Sequence, residues 1–199
     1  MSCPLKLTSV LTGATPSQLY KWRKSGLVVP EINPLRPPLY SFRDLILLRS
    51  IVFLRAHTSS QKIHRAFAVF AFEHPSEFRF GVDEDTIYIG TRSGEAIDIL
   101  TRVGQPTIFS FEDMLAAFSN FKETPVPELG RPSAHLELRP TRMSGWPTIS
   151  ETRVPYDLIA RLVDNKTVFP EDVPDYNPAV SPEAARDAVE FNARVEAVA

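Results

Sequence analysis

Hydrophobic positions follow helical spacing at both ends of the chain and strand-like spacing only in the middle. Leu5, Leu7, Val10 and Leu11 predict a short apolar helix over 5–12. Gly13 allows a sharp turn after it. Thr15 then reads as an N-cap and Pro16 as the first residue of a second helix. In that helix Leu19 and Trp22 share one face, while Tyr20, Lys21 and Arg23 point elsewhere. Gly26 predicts its stop. Pro30, Pro34, Pro37 and Pro38 exclude helix from 28–40 and predict an extended loop or short hairpin, with Arg36 near the tip. Ser41 caps a helix over 41–57, whose apolar face is Leu45, Leu48, Ile51, Val52 and Leu54. A further helix starts at Ser59 or Ser60, with Ile63, Ala66, Phe67 and Phe70 on one side.

Period-two runs appear at TIYIG (86–90) and AIDIL (96–100), which flank TRSGE and predict a hairpin. Residues 112–121 have the spacing of a short amphipathic helix. Pro125, Pro127, Gly130 and Pro132 mark a linker. Beyond it, 135–138 reads as a short strand and 140–152 as a turn-rich stretch. Pro155 opens a helix through about 165, with Leu158, Ile159, Leu162 and Val163 inward. Residues 169–176 form a short helix or turn, kept short by Pro174. Ser181 caps a last helix with Pro182 at its first position, and Ala185, Ala188, Val189, Asn192 and Val195 form its inner face.

Composition changes this picture little. The single cysteine, Cys3, excludes an internal disulfide and a multi-cysteine zinc site. No run of roughly 18 apolar residues predicts a membrane span, and no signal peptide opens the chain, so the cytoplasm is the expected location. Charge changes it more. Residues 1–70 hold ten of the 22 Lys and Arg but two of the 24 Asp and Glu, which is +8; the 12 basic and 22 acidic residues that follow make −10. A basic front on an acidic remainder predicts polyanion binding in front and a different partner behind.

The chemistry-bearing residues point to binding. Gln18 suits adenine; Lys21, Arg23 and Lys24 suit phosphate or guanine; Tyr20 suits phosphate or sugar. Thr15 and Ser17 sit at a helix N-terminus, where backbone N–H groups favour a phosphate. Arg36 and Arg43 complete the candidate DNA contacts. The competing reading is a helical hairpin with a solvated basic face. His57, His64, His74 and His135 lack metal-ligand spacing, and Asp83, Glu84 and Asp85 read as a solvated loop cluster. Cys3, at a mobile end, is a poor nucleophile. No enzyme activity, cofactor or metal is expected.

Residues 8–67 resemble the DNA-binding domain of MerR-type regulators, through GATPSQLYKWRKSGLVVP, LYSFRDLILLRSIVFLR and SSQKIHRAF. The resemblance implies a winged helix-turn-helix, with its wing between the second helix and the next one. Gly26, Leu27, Pro30, Tyr40, Ser41, Asp44 and Leu45 carry the match. The family's usual basic residue two before the tyrosine is Pro38 here, and its frequent acid is Arg23.

Residues 138–197 are similar to a small helical domain, uncharacterised-domain family 433, which occurs at the C-terminus of VapB-type antitoxins. GWPTISETRVPYDLIARLVDNKTVFPEDVPDY and SPEAARDAV carry that resemblance, from Gly145 and Pro147 through Thr152, Arg153 and Pro155 to Ser181 and Ala188. Trp146 replaces a basic residue, Glu151 replaces a glycine, and Pro174 interrupts a usual helix. The resemblance implies a PIN-like RNase toxin as partner, with Arg142, Trp146 and Arg153 as candidate contacts. Arg153 would meet the toxin's carboxylates. The alternative, favoured on spacing, is a local pair with Asp157 four residues on.

The expected fold is mainly α with a small β component. It comprises a winged helix-turn-helix domain (1–74), a β-hairpin-containing middle region and linker (75–132) and a small C-terminal helical domain (133–199). The expected function is that of a type II antitoxin, binding operator DNA as a homodimer and neutralising the toxin. The alternative is a stand-alone MerR-like regulator with a ligand-sensing middle region. A third possibility is a scaffold whose basic helix binds an acidic protein.

Overall fold

The computed structural model describes residues 2–57, 79–82, 87–90, 96–98, 107–109 and 111–198. It is mainly α with a small β component, as the periodicity predicts. The helix expected after residue 58, with its Lys62, His64 and Arg65, lies outside the described residues, as do Asp83, Glu84 and Asp85.

Local capping chemistry fixes the front of the chain. Helix α1 (Leu5–Thr12) ends on Gly13, whose φ of 73° lets its N–H reach back to Ser9 O at 2.9 Å. Helix α2 (Pro16–Ser25) opens with a reciprocal cap. Thr15 Oγ1 accepts from the Gln18 N–H at 3.3 Å, and Gln18 Oε1 accepts from the Thr15 N–H at 2.8 Å. At the other end Leu27 N–H donates to Trp22 O and Gly26 N–H to Arg23 O, a paired closure that a left-handed Gly26 permits.

The proline-rich loop closes as a narrow hairpin, because Asn33 and Leu39 exchange two backbone hydrogen bonds. Its outgoing arm, β2 (Leu39–Tyr40), pairs antiparallel with β1 (Cys3–Pro4). The chain start is therefore pinned. Cys3 is buried in a strand and does not sit on a mobile end, and burial pushes its thiol up to about 12. Helix α3 (Phe42–His57) follows a second reciprocal cap: the Asp44 N–H donates to Ser41 Oγ, and the Asp44 carboxylate accepts from the Ser41 N–H at 2.8 Å. That carboxylate also accepts the Glu31 N–H at 2.9 Å, which ties the base of the hairpin to α3. Burial holds the Asp44 carboxyl above its ordinary range, against these donors. The five apolar residues expected on the inner face of α3 are all buried.

The 86–100 hairpin is present as β4 (Ile87–Gly90) paired with β5 (Ala96–Asp98). It is half of a four-stranded antiparallel sheet, completed by β3 (Arg79–Val82) and β6 (Thr107–Phe109) in the order β5-β4-β3-β6. The helix expected over 112–121 stops early. Helix α4 covers Phe111–Leu115, and the chain then turns into β7 (Phe118–Ser119), paired with β8 (Pro125–Val126). The stretch read as a linker is packed: Val126 and Leu129 are buried.

Arg49 explains that packing. It lies wholly buried on α3 and fans its guanidinium over five carbonyls: Leu11, Met114, Leu115, Ala116 and Pro127. Those oxygens end α1, end α4 and follow β8, so one side chain satisfies three chain ends that would otherwise be buried without donors. Desolvation lowers its pKa to about 10, with Glu128 opposing.

The C-terminal lobe begins with β9 (Leu136–Glu137) paired with β10 (Thr148–Ile149). Helix α5 (Tyr156–Leu162) ends short of the expected 165 and buries Tyr156 and Ile159, while Leu158 is exposed. A short 3-10 turn over Pro170–Asp172 runs into α6 (Val173–Tyr176). Helix α7 (Pro182–Glu196) is capped by Ser181 as expected, and it packs on α5 through Phe191, which meets Tyr156 edge-on at 4.9 Å. Phe191 was absent from the expected face. Helix α7 also lies on α1, and Lys6 bridges to Glu196 at 3.0 Å. Front and back thus share one contiguous core.

Candidate functional site

Two surfaces carry the residues singled out in the sequence. The first is the outer face of α2. Because Leu19 and Trp22 are drawn into the core, Ser17, Tyr20, Lys21, Lys24 and Ser25 are left exposed. Lys21 and Lys24 have no partner among the described residues and can reach a phosphate, and Arg36 stands at the exposed hairpin tip beside Leu35.

The other candidates on this face have partners inside the protein. The Arg23 guanidinium turns to the hairpin and donates to Leu35 O at 3.1 Å and Pro34 O at 3.4 Å, while lying 5.5 Å from the Tyr20 ring centroid. It braces the hairpin against α2. Arg43 pairs with Glu31 at 3.9 Å across the hairpin base. Thr15 and Gln18 are joined in the helix cap, so the Gln18 carbonyl oxygen is committed and its amide keeps its two N–H donors. The cap also uses the Thr15 and Gln18 backbone N–H groups, and Pro16 has none. The first turn of α2 therefore offers a phosphate fewer donors than an uncapped helix.

The second surface is the turn between β9 and α5. Glu137, nearly buried, organises it. Its carboxylate accepts from Arg142, from Arg139 at 2.8 Å and from the Glu151 N–H at 2.8 Å. Arg142 also donates to Thr152 O at 3.1 Å. Arg142, a candidate partner contact, forms a clasp within the domain. Trp146 is half-buried, stacks on Tyr156 and donates its indole N–H to Asp157 at 3.0 Å.

Arg153 behaves differently. Its expected local partner, Asp157, is held by Trp146 and by Arg161 at 2.7 Å. Among the described residues Arg153 has no hydrogen-bond or ion-pair partner, and it is exposed. The local pairing expected from the four-residue spacing is not made. Glu151, two residues earlier, adopts a left-handed φ of 61°. That is where the resembled family carries glycine, and it gives the turn its sharp bend.

Around these sites the carboxylates serve the fold. Asp164 caps a turn through the N–H groups of Lys166, Thr167 and Val168 and the Thr167 hydroxyl, which lower its pKa strongly. Asp187 accepts from Ser133 and from the His135 N–H at 2.6 Å, locking β9 to α7. Among the described residues there is no grouping of His, Cys, Asp and Glu suited to a metal ion, and no helix long and apolar enough to cross a membrane.

The C-terminal lobe is thus a small helical module entered through a two-strand turn. Residues 137–192 match the family described as "Protein of unknown function (DUF433)", and this segment is a DUF433 domain. No curated protein and no solved structure matches the chain.

Sequence reasoning missed Arg49 and Glu137. Arg49 was one of ten basic residues, and nothing local distinguishes it from Arg55. Glu137 had a signal in hindsight: it sits in a two-residue strand between Leu136 and Leu138, where an unpaired carboxylate would be costly.

Proposed function

We propose that the chain is the antitoxin of a type II toxin–antitoxin pair. It binds operator DNA as a homodimer through α2 and the hairpin over 33–39, and it neutralises a PIN-like ribonuclease through its DUF433 domain. The observation that carries the DNA half is the outer face of α2, where Lys21 and Lys24 stand exposed beside Tyr20 while Arg23 fixes the hairpin next to them. This is the layout of a helix that reads a groove, flanked by a wing that meets the backbone. The MerR-like spacing of residues 8–67 supports the same reading. The toxin half is supported by the family's association with VapB-type antitoxins and by the exposed Arg153, which has no partner among the described residues. A guanidinium with no local partner suits bidentate capture of the metal-binding carboxylates of a nuclease.

The test is affinity capture of the tagged full chain from its native host, followed by identification of nucleic acid and protein. Wild type should retain one DNA region and a small acidic-site nuclease. Lys21→Ala/Lys24→Ala should lose the DNA and keep the nuclease, and Arg153→Glu should do the reverse. Recovery of neither partner by the wild type would reject the assignment.

A further inference from the structure

A second cationic element stands beside α2, contributed by the part of the chain that composition marks as acidic. The tip of the β7–β8 hairpin is set by Asn120, whose side-chain oxygen accepts from the Lys122 N–H at 2.9 Å and the Thr124 N–H at 3.1 Å. The same side chain donates to Gly13 O at 3.2 Å, in the turn between α1 and α2. The docking is close. A Cβ on Gly13 would lie 2.3 Å from Val126 Cγ2, so only glycine admits the hairpin there.

Docked in this way, the tip and α2 enclose a groove of about 520 Å³. Among the described residues three cations line it: Lys21 from α2, Arg55 from the end of α3 and Lys122 from the tip. Thr15, Ser17 and Gln18 add polar groups, and none of the described lining residues carries a carboxylate. The Arg55 guanidinium lies 4.0 Å from the Phe121 ring centroid, which holds the tip without neutralising the charge. Three like charges around one groove repel one another, and a polyanion in the groove relieves that repulsion.

We infer that the Phe121–Lys122 tip and Arg55 form a second wing, which holds a phosphate of the same DNA strand that α2 approaches. The inference rests on the DNA-binding reading of α2. Duplex DNA is the occupant because the groove runs directly into the exposed basic face of that helix, and closely spaced phosphates match cations so arranged. Each phosphate held releases counterions and contributes about 0.9 to the slope of log affinity against log salt.

The probe is a mixed-sequence duplex of about 21 base pairs, two helical turns, bound to the full chain over a salt series. Lys122→Ala should lower the slope by about one and weaken binding several-fold at low salt, with Lys122→Arg restoring both. Arg55→Ala should act likewise. Lys122 is exposed, so its variants should melt as wild type does. If Lys122→Ala binds with unchanged slope while Lys21→Ala/Lys24→Ala loses slope, the second wing is rejected and the α2 reading stands. If the α2 double variant also binds as wild type does, the reading beneath the inference falls with it.

Discussion

The two ends of the chain use arginine in opposite settings, and the contrast shows what a count of charges leaves out. In the front lobe the deepest arginine, Arg49, has no ion-pair carboxylate among the described residues and is stabilised by five backbone carbonyls. In the back lobe Arg142 and Arg139 converge on the nearly buried carboxylate of Glu137. The first arrangement ends three chain segments in the interior; the second bends a turn. In both lobes most arginines are committed to the fold, and few cations remain for a partner. On α2 these are Lys21 and Lys24. In the DUF433 domain Arg153 is one of them.

Breaking the front-lobe arrangement should cost the most. Arg49→Met leaves several carbonyls buried without donors, and stability should fall by about 4 kcal/mol. For a chain of this size that lowers the melting temperature by roughly 10 °C, read by thermal denaturation. Arg49→Lys keeps the charge with fewer, differently directed donors, and should recover only part of the loss. A melting temperature unchanged by Arg49→Met would remove the hub from the account.

Next in size is the docking of the hairpin on the Gly13 turn. Gly13→Ala combines a left-handed φ with overlap on Val126, and should destabilise by about 2–3 kcal/mol. In a Val126→Ala background the overlap is relieved, so the same substitution should cost about 1 kcal/mol. A double-mutant cycle with no coupling would contradict the contact.

The back lobe offers a stabilising change. Glu151 holds a left-handed φ that glycine adopts without strain. Glu151→Gly should raise stability by about 1 kcal/mol, a gain of roughly 2–4 °C in melting temperature, because its backbone N–H still reaches Glu137. A lower melting temperature would show that the Glu151 side chain has a role beyond the turn.

The smallest effect is at Cys3. Buried and held protonated, its thiol should resist iodoacetamide in the native protein and react at the rate of unfolding. Fast native labelling would free the chain start from its pairing with Tyr40.

Much of this fold was legible in the residues. Thr15-Pro16, Ser41 and Ser181-Pro182 announced three helix starts, because capping is a local interaction. Gly13 and Gly26 announced two stops for the same reason. What was not legible depended on distant partners. The 112–121 spacing looked helical, yet Phe118 pairs with Val126 in a hairpin, because tertiary docking on Gly13 overrides a weak local preference. The prolines at 125 and 127 resembled a linker, although their segment supplies a carbonyl to Arg49 and a buried valine to the core. Arg153 looked able to pair with Asp157 from spacing alone. Trp146 and Arg161 take that carboxylate first, and only the assembled turn reveals it.

The central claim is that polyanion binding resides in the cations the fold leaves uncommitted, above all Lys21 and Lys24. It is tested most directly by the salt dependence of duplex binding for wild type, Lys21→Ala/Lys24→Ala and the remote control Arg186→Ala, whose side chain pairs with Glu171 and Glu183. The account predicts that the double variant loses about two units of slope and the control none. Equal slopes in all three would contradict it.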